Sequence, residues 1–189
     1  MTGGIACGKS LLSHYLNELG VETLDADDVV HTLIPDPAER RRLAAEVFSD
    51  PAARRALEAR LHPLVKARID AWLAGASADA TGRVPPSQLT LHSQLRIAVI
   101  PLLFEVHWER FFDIICTVVS SRENQLARMM TTRGYSRAEA EARLAAQLPV
   151  GEKAKKSHYV IANDGTAADL RREVEAFVAW LKEKEKEHG

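Results

Sequence analysis

Apolar positions along this chain alternate between helical spacing and short continuous runs. Leu12, Tyr15, Leu16 and Leu19 recur at intervals of three and four, predicting a helix that starts near Gly8, turns this face inward and stops at Gly20. Val21 to Leu24 reads as a short strand that delivers Asp25-Ala26-Asp27. From Val29 to Gly75 the pattern is mainly helical. Within it Asp50-Pro51 pairs an N-cap with proline at the first helical position, and His62-Pro63 begins or bends a stretch whose apolar face is Leu64, Val65, Ile69, Trp72 and Leu73. Ala76 to Arg96 is polar and carries Pro85-Pro86, which predicts a surface loop or insertion.

Ile97 to Leu103 and Ile114 to Val119 are unbroken apolar runs, the pattern of strands buried on both faces. Between them, Pro101-Leu-Leu-Phe-Glu105-Val-His-Trp108 reads as a strand end followed by a loop or short helix. Arg122 to Arg133 is a basic helix, and Ser136 to Leu148 a second one opened by the capping box Ser136-Arg-Ala-Glu139. A last strand, Tyr159 to Ala162, runs into the turn Asn163-Asp164-Gly165. The final helix sets Leu170, Val174, Phe177, Val178 and Leu181 on one face and ends in the solvated charge run Lys182 to Glu187. Strands alternating with helices predict an α/β fold built on a parallel sheet.

Composition narrows the class. The 189 residues fit one domain with small lobes, and 46% apolar with 27% charged residues is enough for a packed core. A net charge of −1 offers no global field for nucleic acid or an anionic membrane, so an anionic ligand must be held by local chemistry. There is no apolar run of membrane-spanning length and no signal-peptide pattern; with only Cys7 and Cys116 present, both expected reduced, the expectation is a cytoplasmic protein.

Gly3-Gly4-Ile5-Ala6-Cys7-Gly8-Lys9-Ser10 fits the Walker A pattern at every fixed position. Glycines let the backbone curl so that N–H groups face phosphate oxygens, and the helix beginning at Gly8 adds its positive end. Gly4 to Leu11 are therefore expected to bind the nucleotide, with Lys9 on the β- and γ-phosphates and Ser10 on magnesium. Only Met1 and Thr2 precede the motif, so the strand that ordinarily leads into it is expected to be lacking. Asp25 and Asp27, at a strand's carboxyl end, suit a carboxylate that receives a hydroxyl proton, whereas Asp27 or Asp28 can cap the next helix. Arg122, Arg128, Arg133, Arg137 and Arg143, followed by Lys153, Lys155 and Lys156, read as a cationic lid or as a solvated hairpin. Cys7 is either an oxidisable thiol or a small side chain tolerated in the loop. His62 can contact substrate or cap and pack, and Glu105 can orient a magnesium water or a substrate group or sit on the surface.

Together these segments resemble dephospho-CoA kinases. The likeness rests on Thr2 to Ser10, Asp25-Ala-Asp27, Val47-Phe-Ser-Asp-Pro51, Leu61-His-Pro63 and Pro101-Leu-Leu-Phe-Glu105. It continues through Gln125 with Arg128, Ala142 to Gln147, Glu152-Lys-Ala154 and Tyr159 to Gly165, in order and nearly end to end. The resemblance implies a single P-loop kinase domain over 1–189, a P-loop NTPase-type three-layer fold with a five-stranded parallel core. It further implies a helical lobe over 29–95 for the CoA substrate and a lid over 121–157. The implied activity is ATP- and Mg2+-dependent phosphorylation of the ribose 3′-hydroxyl of dephospho-CoA. Asp27 would be the base, and Asp25, His62, Pro101, Leu102 and Glu105 would lie on the substrate side. Arg128 and Arg143 would face the phosphates, and Asn163 to Gly165 the adenine. The stretch Ile34-Pro-Asp-Pro-Ala-Glu39 is shorter than its family counterpart, and a lid arginine usual in the family falls on Thr132, beside Arg133. The P-loop alone is shared with other small-molecule kinases and with nucleotide-binding proteins that turn nothing over.

Overall fold

A computed structural model describes residues 1–75 and 95–188 of the chain. Most of the loop expected at Ala76 to Arg96 lies outside the described residues. The elements are β1 (Thr2–Gly3), α1 (Lys9–Glu18), β2 (Glu22–Asp25), α2 (Ala26–Leu33), α3 (Pro37–Ser49), α4 (Pro51–Leu73), β3 (Arg96–Val99), β4 (Cys116–Val119), α5 (Arg122–Arg133), α6 (Arg137–Ala145), α7 (Val150–Lys155), β5 (Tyr159–Ala162) and α8 (Ala167–His188). A 3₁₀ turn occupies Glu109–Phe111. The chain divides into two compact units, Met1–Thr23 with Val99–Gly189, and Leu24–Ala98. The expected substrate lobe falls inside the second unit, whereas the expected lid belongs to the first.

The first unit is built on a parallel sheet of order β1-β4-β5, with Thr2 opposite Thr117 and Cys116 opposite Tyr159. Its central strand β4 is buried from Cys116 to Val118, which is why it reads as an unbroken apolar run. The strand expected to be lacking ahead of the P-loop is present in short form. Thr2–Gly3 pairs with β4, and Ile100 N–H donates to Met1 O at 2.8 Å. The strand predicted over Ile97 to Leu103 stops at Val99. Pro101, which has no N–H to pair, opens a turn.

Helix α8 packs on β5 and α1 through Leu170, Val174, Phe177, Val178 and Leu181, all buried. Each such side chain contributes roughly 1.5–3 kcal/mol. From α1 come Leu12 and Leu16. Leu19, predicted on the same face, is 37% exposed because it is the C-cap, past the last helical residue. The helix predicted over Ser136 to Leu148 has its capping box but ends at Ala145, and α7, not foreseen, lies against β4 and β1.

In the second unit α2 and α3 both pack on α4. Strands β2 and β3, each of which runs across a unit boundary in sequence, pair in a two-stranded sheet. The five strands among the described residues are thus divided between sheets of three and two. Asp36 and Asp50 cap α3 and α4 with proline next in line. Helix α4 runs unbroken through Pro63 for 23 residues. Its inner face is Val65 and Ile69, both buried, whereas Leu64 is 50% exposed because it lies about 100° round the helix from Val65. Among the described residues no helix is long and apolar enough to cross a membrane.

Candidate active site

The P-loop leaves β1 at Gly3, and α1 begins at Lys9 after Gly8, which is left-handed at φ 91° and leaves the helix without a side-chain cap. What shapes the loop is a set of side chains that hold its carbonyls. Gln125 Nε2 donates to Ile5 O at 2.7 Å and to Cys7 Sγ at 3.2 Å, Arg128 Nη1 to Ala6 O at 3.3 Å, and Asn163 Nδ2 to Cys7 O at 2.8 Å. In a trans peptide a carbonyl and the following N–H point in opposite directions. Holding the carbonyls of Ile5 and Cys7 inward therefore turns the N–H groups of Ala6 and Gly8 outward, as an anion nest requires. The close approach demands glycine. A Cβ on Gly4 would lie 2.5 Å from Gln125 Nε2, and one on Gly8 2.1 Å from Asn163 Nδ2.

Lys9 stands at the mouth of this cradle, its ammonium donating to Gly3 O at 3.1 Å and Gly4 O at 2.8 Å. Ser10 and Leu11 follow in the first turn of α1 and are exposed. Cys7 is fully buried, and burial pushes its thiol pKa up against the smaller opposing pull of Lys9 and Arg128. It is a small side chain packed beneath the loop, not an activated thiol. Magnesium fits this donor set as a companion of the nucleotide. Ser10 offers one hydroxyl, and among the described residues no three His, Cys, Asp or Glu side chains gather to hold an ion. That ion keeps most of its waters and takes phosphate oxygens with one or two protein oxygens, a mode Ser10 permits.

The expected lid cations do not converge. Arg128 is drawn under the loop, where Nη2 also donates to Asn163 O at 2.8 Å and Nη1 to Ser120 Oγ at 3.3 Å. Arg122 and Arg137 bridge α5 and α6 through Glu141 and Glu123, exposed pairs worth about 0–1 kcal/mol each. Arg143 lies over the Tyr135 ring at 4.3 Å. At the position of the usual lid arginine, Thr132 Oγ1 donates to Arg128 O, and Arg133 is exposed beside it. Lys153, read from sequence as a lid cation, is fully buried and ion-paired to Glu105 at 2.8 Å. It is part of the core of this unit.

Glu105 is correspondingly withdrawn. Its Oε1 accepts from Lys153 and from Leu148 N–H at 3.0 Å, while Oε2 is buried with no partner among the described residues. Pro101 O receives Lys153 Nζ at 2.8 Å and Thr2 Oγ1 at 3.2 Å, and Leu102 is half-buried in the turn that follows. The turn expected at adenine serves the loop directly. The Asn163 side chain holds Cys7 O, and the Asp164 carboxylate accepts from Ser121 N–H at 2.7 Å, Ser120 Oγ at 2.8 Å and Asn124 Nδ2 at 2.8 Å. Those bonds, the Ser121 N–H foremost, lower the Asp164 pKa to about 2. A Cβ on Gly165 would lie 2.6 Å from Asp169 Oδ2, the group that caps the start of α8.

In the second unit Asp25 caps α2 by accepting from Asp27 N–H at 2.9 Å, so the capping role falls to Asp25 and leaves the Asp27 carboxylate exposed in the first turn. His62 is half-buried in the middle of α4.

Sequence reasoning quoted Gln125 and Gln147 for the resemblance but gave neither a role at the site. Gln125 is buried on the face of α5 that also buries Leu126 and Met129, and a glutamine on an apolar face was the available signal. Gln147 Oε1 accepts from Ile5 N–H at 3.0 Å. It lies in a connector with no regular spacing, and nothing local marks it.

A phosphate cradle at the head of α1, carried on a parallel sheet, defines a P-loop NTP-binding protein. Comparison with known proteins goes further. The family model for dephospho-CoA kinase matches residues 1–39 and 37–169. The dephospho-CoA kinase of Synechococcus sp. (strain JA-3-3Ab) is 37% identical over 92% of this chain and 88% of its own length. That of Geobacter sulfurreducens is 34% identical over 96% of each chain. Among solved structures, TT1252 from Thermus thermophilus superposes with a TM-score of 0.74 at 34% identity over 95% of each chain. The dephospho-CoA kinase from Campylobacter jejuni gives 0.67 at 25% identity, over 97% of this chain and 96% of its own. The chain belongs to the dephospho-CoA kinase family, the ATP-dependent kinases of the last step of CoA synthesis.

Proposed function

We propose that this protein transfers the γ-phosphoryl group of ATP to the ribose 3′-hydroxyl of dephospho-CoA, giving CoA and ADP. The observation that carries the nucleotide half of the reading is the P-loop, with the carbonyls of Ile5 and Cys7 tied inward by Gln125 and Asn163 and the following N–H groups turned out at the open start of α1. The acceptor rests on membership of the dephospho-CoA kinase family. In this reading Gly4 to Leu11 receive the triphosphate. Lys9 exchanges its two carbonyl partners for β- and γ-phosphate oxygens and stabilises charge as it spreads over the transferred group. Ser10 holds a magnesium ion, which neutralises phosphate charge when bound. Arg128 and Arg143 act on the phosphates, and Asn163 and Gly165 lie on the adenine side. Asp27 accepts the proton of the attacking hydroxyl, its neighbour Asp25 fixing the first turn of α2. His62 is assigned to the acceptor within a CoA-substrate lobe over 29–95, and Pro101 and Leu102, outside that span, to the acceptor as well, with the lid over 121–157. Glu105 is not so assigned, because one oxygen is engaged and the other enclosed. The reaction is placed in the cytoplasm, where free thiols such as Cys7 and Cys116 stay reduced.

A coupled assay for ADP with ATP, Mg2+ and dephospho-CoA tests this. Turnover is expected with dephospho-CoA, and Lys9→Ala should lower kcat on the order of a hundredfold or more. Asp27→Asn should lower kcat by about 10²–10⁴-fold with ATP affinity nearly unchanged. Phosphorylation of a nucleoside monophosphate without phosphorylation of dephospho-CoA would overturn the reading.

A further inference from the structure

We propose that Glu105 and Lys153 are a positioning pair that sets the P-loop from behind, an inference that rests on the kinase reading above. The pair sits at the centre of a hydrogen-bonded circuit that leaves the loop segment and returns to it. Thr2, in the strand entering the loop, donates to Pro101 O at 3.2 Å, and the same oxygen takes Lys153 Nζ at 2.8 Å. Lys153 Nζ then meets Glu105 Oε1 at 2.8 Å, and that carboxylate oxygen takes Leu148 N–H at 3.0 Å. The residue beside Leu148 is Gln147, whose side-chain oxygen accepts Ile5 N–H at 3.0 Å. Thr2 and Ile5 bracket the two glycines that open the loop, so the circuit fixes both sides of the segment that must curl around phosphate.

Packing alone does not account for the pair. Lys153 is fully buried, and burying an ammonium with a carboxylate is often no more stabilising than an apolar pair of the same volume. What an ion pair supplies that an apolar pair cannot is direction. Charge-assisted bonds are short and angularly demanding. Here they aim Pro101 O at Thr2 and Leu148 N–H at Glu105, and thereby place the Gln147 amide. Neither side chain reaches solvent freely enough to act on substrate, so their effect passes through the backbone they hold.

The test neutralises the pair at constant volume, with Glu105→Gln and Lys153→Met together, in the full-length protein. The glutamine can still accept Leu148 N–H, and no uncompensated charge is left buried. ATP affinity is measured without acceptor, so this arm reads the loop even if dephospho-CoA proves not to be the substrate. Turnover with dephospho-CoA is measured separately. The double variant is expected to fold with a Tm close to the parent, to bind ATP about tenfold more weakly and to lose about tenfold or more in kcat, while KM for dephospho-CoA stays within about twofold. Gln147→Ala alone should reproduce most of the loss in ATP affinity. Added to the double variant, it should cost less than about a further twofold, since both act on Ile5 by one route. A folded double variant with parental ATP affinity and kcat would overturn the proposal. So would parental ATP affinity in Gln147→Ala, which stands as the deciding measurement if the double variant does not fold.

Discussion

Gly8 is the residue at which backbone and side-chain demands on the phosphate loop meet. Its φ of 91° is closed to most L-residues, and an added Cβ would stand 2.1 Å from the Asn163 amide that holds Cys7 O. Gly134, the C-cap of α5, is also left-handed at φ 68° but has nothing within 4 Å of an added Cβ. Gly134→Ala should therefore cost only the left-handed penalty, about 1–2 kcal/mol. Gly8→Ala should cost that and roughly 1–3 kcal/mol more, because displacing Asn163 leaves a buried carbonyl unpaired. Urea unfolding of the two variants isolates the Asn163 contact. Equal losses would mean that the amide yields freely. The Walker pattern itself is legible in sequence because all its residues are consecutive. What holds it is not, since Gln125, Gln147 and Asn163 reach it across 120, 142 and 156 positions of chain.

Elements were legible where periodicity was long, as in α1, α5 and α8, or where the cap was local, as in the capping box of α6. They were not legible where the apolar pattern overran an element or missed it. The Ile97 to Leu103 run looks like one strand, yet Pro101, with no N–H to pair, follows close on β3 and opens a turn. Helix α7 has six residues and buries a lysine, two features that hide it from any apolar count. Pro63 is the reverse case, a breaker that does not break. Helix α4 continues through it without the hydrogen bond that an N–H there would give to Ala59 O. Pro63→Ala should restore that bond and raise stability by about 1–3 kcal/mol, measured by thermal or urea unfolding. If the proline sets the course of α4 around its neighbour His62, KM for dephospho-CoA should rise as stability does. A stabler variant with unchanged KM would leave Pro63 no part in presenting His62 to the acceptor.

For the molecule as a whole, the strand ends of the first unit are tied by one carboxylate. Asp164, just past β5, draws Ser120, Ser121 and Asn124 from the junction of β4 and α5, while its neighbour Asn163 holds the phosphate loop. With a pKa near 2 in the folded chain against an ordinary 3.8, Asp164 binds fewer protons folded than unfolded across that interval. Its contribution to stability is therefore complete above about pH 4 and is lost as pH falls through about 2. The shift would correspond to roughly 2 kcal/mol if Asp164 were buried, but the residue is exposed and solvent screening reduces this to about 1 kcal/mol. Asp164→Asn keeps an acceptor oxygen and loses the charge. It should be less stable than the parent by about that amount at pH 7, and the difference should shrink to about a third by about pH 2.5 and close only as pH falls below about 2. Urea midpoints taken across this range decide the matter. A gap that stayed constant with pH would show that the tie depends on the shape of the side chain and not on its ionisation. A closing gap would show that the same charge which binds the two strand ends also makes the phosphate-binding end of the sheet sensitive to acid.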